Sequence, residues 1–256
     1  MKLENLVEAY FLKLRFNLKS EASKSYLNYA WWILEPALHV AVFYFVFNVM
    51  LDRGGPNFTV FLLCGQIPFL WLSRSVNNAT GSILYGRGMI LQISIPKPFF
   101  PLLAVGQDLV KQSTVFLCLL LFLILVGFGP SAYWFYLPAI IIVQAMLVCA
   151  LALVAAAITP YVPDFRFLVN TGMTMLMFAS GIFYDYRTVL KDEHKQWFLL
   201  NPMSTLIECY RDVLIRHQPL DWNGLLFLLL GSLVLLILVL GFYKRHDAAY
   251  ARLVAQ

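Results

Sequence analysis

The chain has 256 residues, of which 61% are hydrophobic and only 13% charged, with a formal net charge of +5 and a mean hydropathy of +0.73. These values exclude an ordinary soluble globular domain. No nucleic-acid partner is expected, and six spans with their connections leave no room for a separate soluble domain.

Six apolar stretches organise the chain, near 30–50, 58–78, 101–126, 133–158, 167–184 and 222–243. About 20 apolar residues are needed to cross a bilayer as a helix. Backbone amides cannot stay unpaired in lipid, so stretches of this kind must be helical. The expected fold is an all-α membrane protein with six transmembrane helices.

Ahead of the first span, Glu4 and Glu8 interrupt what a cleavable signal peptide would need to keep apolar, and none is expected. Leu3, Leu6, Val7, Tyr10, Leu14 and Leu18 recur at helical spacing, with Lys2, Lys13 and Arg15 on other faces. Residues 1–27 therefore read as an amphipathic helix lying in the membrane interface; a helix packed on protein is the plainer alternative.

In the first span Trp32, Glu35, His39 and Phe43 share one helix face, and Phe47 joins the same candidate wall. That face either lines a passage or closes a helix–helix contact through a Glu35–His39 pair. The second span carries Arg74, Asn77 and Asn78, and the third carries Gln107, Asp108, Lys111 and Gln112. In an antiparallel hairpin Arg74 and Asp108 fall at similar depth. A structural ion pair is expected there, since a lone charge at the bilayer centre costs about 2.5–3.5 kcal/mol.

The connection 80–98 is rich in glycine, ends in Ile95-Pro96-Lys97-Pro98, and is expected to hold a short helix around Ser82–Leu91. The fifth span presents Asn170, Thr174 and Met177 along one side, with Phe178 beside them. Its methionines either fill gaps between helices or form a pore wall. Aromatic residues crowd the span ends; interfacial belts explain most of them, and aromatic faces also stack on sugar rings. In the last connection, 185–221, Asn201-Pro202 separates two short apolar segments. Neither is long enough to span, so two re-entrant half-helices are expected.

With the amino terminus inside, eleven Lys and Arg fall in inner segments and six in outer ones, which places both termini in the cytoplasm. There is no G-x-x-x-x-G-K-[ST] for ATP, and no H-E-x-x-H or G-x-S-x-G. Asp192, Glu193 and His194 read as solvated charges beside Lys191 and Lys195, and the four cysteines share no metal spacing. Catalytic and metal-ligating residues are expected to be none.

The ordered set of motifs resembles the membrane subunit of ABC-2 type exporters, particularly those moving O-antigen, capsular or teichoic polysaccharide. It comprises Tyr29-Ala30-Trp31-Trp32-Ile33-Leu34-Glu35-Pro36, Gly65-Gln66-Ile67-Pro68-Phe69, Ile95-Pro96-Lys97-Pro98, Pro163-Asp164-Phe165-Arg166 and Asn201-Pro202-Met203 before Tyr210-Arg211. The resemblance covers the whole chain, 1–256, as a single transmembrane domain. It implies a homodimer in a bacterial inner membrane with two copies of a cytoplasmic ATPase that binds the ATP and Mg2+, this chain holding no cofactor. Lys13, Arg15, Gly86, Arg87, Asp164 and Arg166 would couple to that ATPase, although Asp164 and Arg166 depart from the more usual adjacent Arg-Asp order. The passage would run between first and fifth spans of the two protomers, and Asn201, Pro202 and Arg211 would shape its outer exit. The cargo would be a polymer on a lipid-pyrophosphate. A drug or small-lipid exporter is the alternative within the class. A membrane-embedded lipid or sugar transferase should show clustered inner carboxylates or histidines, and a passive channel would not need a conspicuous inner loop.

Overall fold

The computed structural model describes residues 3–23, 28–50, 57–93, 95–189 and 191–255. Lys2, Lys24 and Arg53 of the charge count, and the side chains of Phe43, Phe47, Asp192 and His194, lie outside the described residues. The described chain is 85% helix with no strand.

An amino-terminal helix α1 (Leu3–Ser23) precedes α2 (Trp31–Tyr44), which runs on into a π-helical turn, Phe45–Met50. Next come α3 (Phe58–Thr80), two short helices α4 (Ser82–Tyr85) and α5 (Arg87–Gln92), and α6 (Phe99–Leu125). A 3-10 turn, Ala132–Tyr136, leads into α7 (Leu137–Ile158), followed by α8 (Phe165–Ala179), α9 (Tyr186–Val189), α10 (Asp192–Leu199) and α11 (Pro202–Arg211). A second π-helical turn, Asp212–Arg216, precedes the long α12 (Trp222–Ala255).

Among the described residues four helices are long and apolar enough to cross a membrane: Phe58–Thr80, Phe99–Leu125, Ala132–Ile158 and Trp222–Asp247. The expected spans near 30–50 and 167–184 are less regular. The first is α2 with its π turn. The second, α8, has 15 residues and stops at Ala179, short of the expected Tyr184. The cause is local. Gly181 adopts φ +68°, a left-handed conformation that ends helices, and the carbonyls of Gly181 and Ile182 accept hydrogen bonds from Arg211 at 2.9 and 3.0 Å.

Helix α3 is the hub, packing against α2, α6, α7, α8 and α11. Buried polar side chains brace it where Pro68 interrupts the helical amide ladder. Gln112 donates to the Ile67 carbonyl at 3.2 Å and Gln144 to the Pro68 carbonyl at 2.8 Å, while Tyr210 donates to Gln144 Oε1 at 2.7 Å. The main core joins α3, α6, α7 and α11 with the start of α12. A second core gathers α4, α5, the start of α6 and the ends of α7 and α12.

The expected end of the last span at Tyr243 is not the end of the helix. Beyond it Tyr243 and Tyr250 donate to the carbonyls of Leu153 and Ala157 at 3.0 and 2.9 Å, and Asp247 pairs with the buried Lys97 at 3.4 Å. These contacts clamp the end of α12 to α7 and to the Ile95–Pro98 turn.

Candidate functional site

Three regions carry the polar chemistry: the end of the bundle where α1 lies, the exposed side of α8, and the opposite end around α11.

Helix α1 is anchored on α6. The Tyr10 hydroxyl donates to the Leu102 carbonyl at 3.1 Å and Lys111 pairs with Glu21 at 2.6 Å. Burial, with a lesser contribution from Cys149, raises the Tyr10 pKa above the ordinary tyrosine value. On its other side α1 leaves Phe11, Leu12 and Phe16 exposed, as a helix in a membrane interface would. Lys13 and Arg15 are exposed on the same helix.

The expected Arg74–Asp108 pair does not form. Arg74 Nη2 lies 3.2 Å from Glu35 Oε1, bringing α2 and α3 together. The approach is off the hydrogen-bonding direction, so that shielded nitrogen holds a charge contact and no hydrogen bond. Asp108 instead accepts both bonds of the Asn78 amide at 3.1 and 2.9 Å and lies 3.5 Å from Lys111. Arg74 faces α2, and Asn78, one helical turn beyond it, is what meets Asp108. Glu35 and His39 do not pair through their side chains; His39 Nδ1 is 3.0 Å from the Glu35 carbonyl. Trp32, Glu35, Arg74 and Asp108 line a cavity of about 370 Å³ within the chain.

The connection 80–98 holds two short helices rather than one, broken at Gly86. A Cβ at Gly86 would run into the Phe100 ring, so only glycine lets this turn sit on α6. Arg87 is exposed on α5; Asp164 is exposed at the start of α8, and the Arg166 guanidinium lies 4.8 Å from the centre of the Phe167 ring.

Helix α8 has no buried residue. Asn170, Thr174 and Phe178 are exposed on it, and Met177 turns inward, accepting from Gln66 at 3.9 Å. Within one chain α8 stands against α3 and α7, whereas α2 stands against α3 and α6. The two candidate passage walls therefore occupy different surfaces of the chain.

At the opposite end Asn201 caps α11, accepting from the Met203 amide at 3.0 Å, and donates to Ser180 Oγ at 3.0 Å. Pro202 takes the first helical position, where its missing N–H costs nothing. Every residue from Met203 to Arg211 is buried. Arg211, only 1% exposed, donates to the Gly181, Ile182 and Phe61 carbonyls and to Glu208, with its guanidinium 3.4 Å from the centre of the Phe61 ring. Around it Arg216 binds Glu208, Asp212 and Asp185 at 2.6, 2.8 and 3.3 Å, and Arg187 binds Asp212 at 3.1 Å. Burial works against the Arg216 charge, but hydrogen bonds to Asp212 and Glu208 outweigh it and raise its pKa. Sequence reasoning found Arg211 and missed Asp185, Arg187, Glu208, Asp212 and Arg216. The readable signal was alternating acid and base at helical spacing from 208 to 216 inside an otherwise apolar segment.

The profile of the ABC-2 type transporter membrane family matches residues 9–215, from α1 through the second π turn. The chain belongs to that family. Its ABC-2 frame is also similar along most of its length to named relatives. An O-antigen export system permease protein RfbA of Myxococcus xanthus is 27% identical over 220 residues, covering 86% of this chain and 85% of the relative. An RfbA of Klebsiella pneumoniae is 24% identical over 244 residues, covering 93% and 92%. The polysialic acid transport protein KpsM of Escherichia coli is 23% identical over 250 residues, covering 95% and 94%. As an ABC-2 family member with long apolar helices, the chain is a multi-pass membrane protein.

Proposed function

We propose that the chain is the permease subunit of an ABC exporter that moves a lipid-linked polysaccharide across the bacterial inner membrane. The carrying observation is the near end-to-end similarity to relatives named as O-antigen export permeases and as a polysialic acid transport protein. In this reading the functional unit is a homodimer with two cytoplasmic ATPase subunits, which bind the ATP and Mg2+. The chain itself is not an enzyme. Both termini are cytoplasmic, α2 with its π turn and α8 complete six crossings, and α10–α11 form the outer re-entrant segment.

The residues then divide the work. Closure of the ATPases pushes on α1 (Lys13, Arg15), on α4–α5 (Gly86, Arg87) and on the turn before α8 (Asp164, Arg166). The Gly86–Phe100 contact passes that push to α6. The exposed face of α8, with Asn170, Thr174 and Phe178, meets α2 of the second protomer with its Trp32, Glu35, His39, Phe43 and Phe47. A hydroxyl-rich polymer slides between walls that offer polar partners and aromatic surface. The buried Arg211 network keeps the outer segment rigid beside that exit.

Deleting the gene in its native host tests the reading. Lipid-linked polysaccharide should accumulate inside, detectable by glycan antibody in permeabilised but not intact cells, and restored to the surface by the wild-type chain. Normal surface polysaccharide in the deletion strain would rule it out.

A further inference from the structure

Past the apolar run of the last span, Tyr243, Asp247 and Tyr250 recur at helical spacing and so share one face of α12. That face serves two different parts of the chain. The Tyr243 and Tyr250 rings stack with their centroids 5.4 Å apart, and their hydroxyls donate to the carbonyls of Leu153 and Ala157. Ala157 lies in the final turn of α7, where carbonyls have no helical amide to accept from, so the Tyr250 hydroxyl supplies a donor there. The Tyr250 ring also meets Tyr161, in the turn before α8, edge-on at 5.5 Å. Asp247 reaches the other way, to Lys97 in the Ile95–Pro98 turn, whose buried ammonium also donates to the Ile95 carbonyl at 3.3 Å. A buried charge needs such a paired partner. Beside this pair α12 packs on α5, and Ile83, Ile90 and Ile95 share one apolar core with Tyr243 and Tyr250.

We infer that the inner end of α12 is a strut tying the α4–α5 segment to the turn before α8, so that a push received at either moves both. Lys97 and Asp247 hold one side of the strut, and Tyr250 holds the other. They are positioning residues for coupling, acting through the segments they join. Rigid helices held by packed side chains and polar bonds are the elements that carry such coupling, and α12 is continuous from the span to these contacts. The inference rests on the proposed ATP-driven reading and goes beyond it by naming the element that joins two of its coupling segments.

The test uses the full chain with its retained ATPase, and reads surface polysaccharide and ATP hydrolysis per copy of the chain in the membrane. Asp247→Ala with Tyr250→Phe should lower surface polysaccharide about tenfold, the factor carried by one charged hydrogen bond, while the complex keeps its ATPase and goes on hydrolysing ATP. Asp247→Glu, which keeps a carboxylate within reach of Lys97, should restore export in the presence of the native Tyr250. Arg245→Ala, exposed on the same turn, should change nothing. Export and hydrolysis falling together, with less chain in the membrane, would mark a merely structural role and overturn the inference. Nitroxides at the exposed Gln92 and Val162, in a background without native cysteines and diluted with unlabelled chain, read the strut directly. Their distance should stay single through ATP binding and broaden in the double variant; a distance that stays narrow there would also overturn the inference. If the wild-type chain retains no ATPase, the transport reading has failed. If it does, and the double variant exports as much per ATP as wild type, the strut alone has failed.

Discussion

Replacing Arg211 by Met keeps volume and apolar packing but removes the four hydrogen bonds that Arg211 donates to Gly181, Ile182, Phe61 and Glu208. Three carbonyls, those of Phe61, Gly181 and Ile182, lose their partner inside a region with no solvent to replace it, and Glu208 keeps only Arg216 and Arg187. Removing one member of a buried charged network costs about 3–5 kcal/mol. For a chain of this size that lowers the apparent melting temperature by roughly 10 °C. The measurement is intrinsic tryptophan fluorescence on heating in detergent. Arg211→Lys should lie between, because the ammonium keeps its charge but cannot fork to two carbonyls while stacking on Phe61. In Arg211→Met the released Gly181 turn should also become susceptible to proteolysis. A variant melting within about 2 °C of wild type, well under the shift expected for that cost, would refute the claim that Arg211 holds the end of α8 to α11.

Exchanging Glu35→Arg and Arg74→Glu together should recover export lost in either single variant. The stability recovered should be small, about 0.5–1 kcal/mol, because both groups are partly exposed; no recovery in the double variant would remove this pair from the account. Gly86→Ala should uncouple ATP hydrolysis from export by forcing α4–α5 off Phe100, and Phe100→Leu should partly restore it; unaltered coupling in Gly86→Ala would show that the contact transmits nothing. Cysteines at Asn170 and Thr174 should react with water-soluble thiol reagents while the ATPase turns over, and one at the half-buried Leu176 should not. Equal labelling at all three would deny α8 a lining face.

Hydropathy located α3, α6, α7 and the start of α12 to within a few residues, because length and apolarity are all that a bilayer demands of a span. It did not show that the helix runs on past the span, since Lys244, Arg245 and Asp247 end the apolar run while Tyr243 and Tyr250 continue the helix along α7. Asn201-Pro202 was legible as a break because its chemistry is local, a side-chain cap followed by proline at the first helical position. The partners of Arg74 and Asp108 were not. Depth can be counted from the ends of a span, but which side of each helix faces the other depends on how α2, α3 and α6 pack together. The early end of α8 was hidden for a similar reason: the group that holds the Gly181 turn open, Arg211, is 30 residues away.

The most direct test of the central claim is the mass and activity of the complex retained by an affinity-tagged chain. Extracted gently from its native membrane, the chain should carry an equal number of ATPase subunits, two of each by native mass spectrometry, and hydrolyse ATP only in that assembly. A chain recovered alone from cells that display its polysaccharide, or one that hydrolyses ATP by itself, would contradict the account.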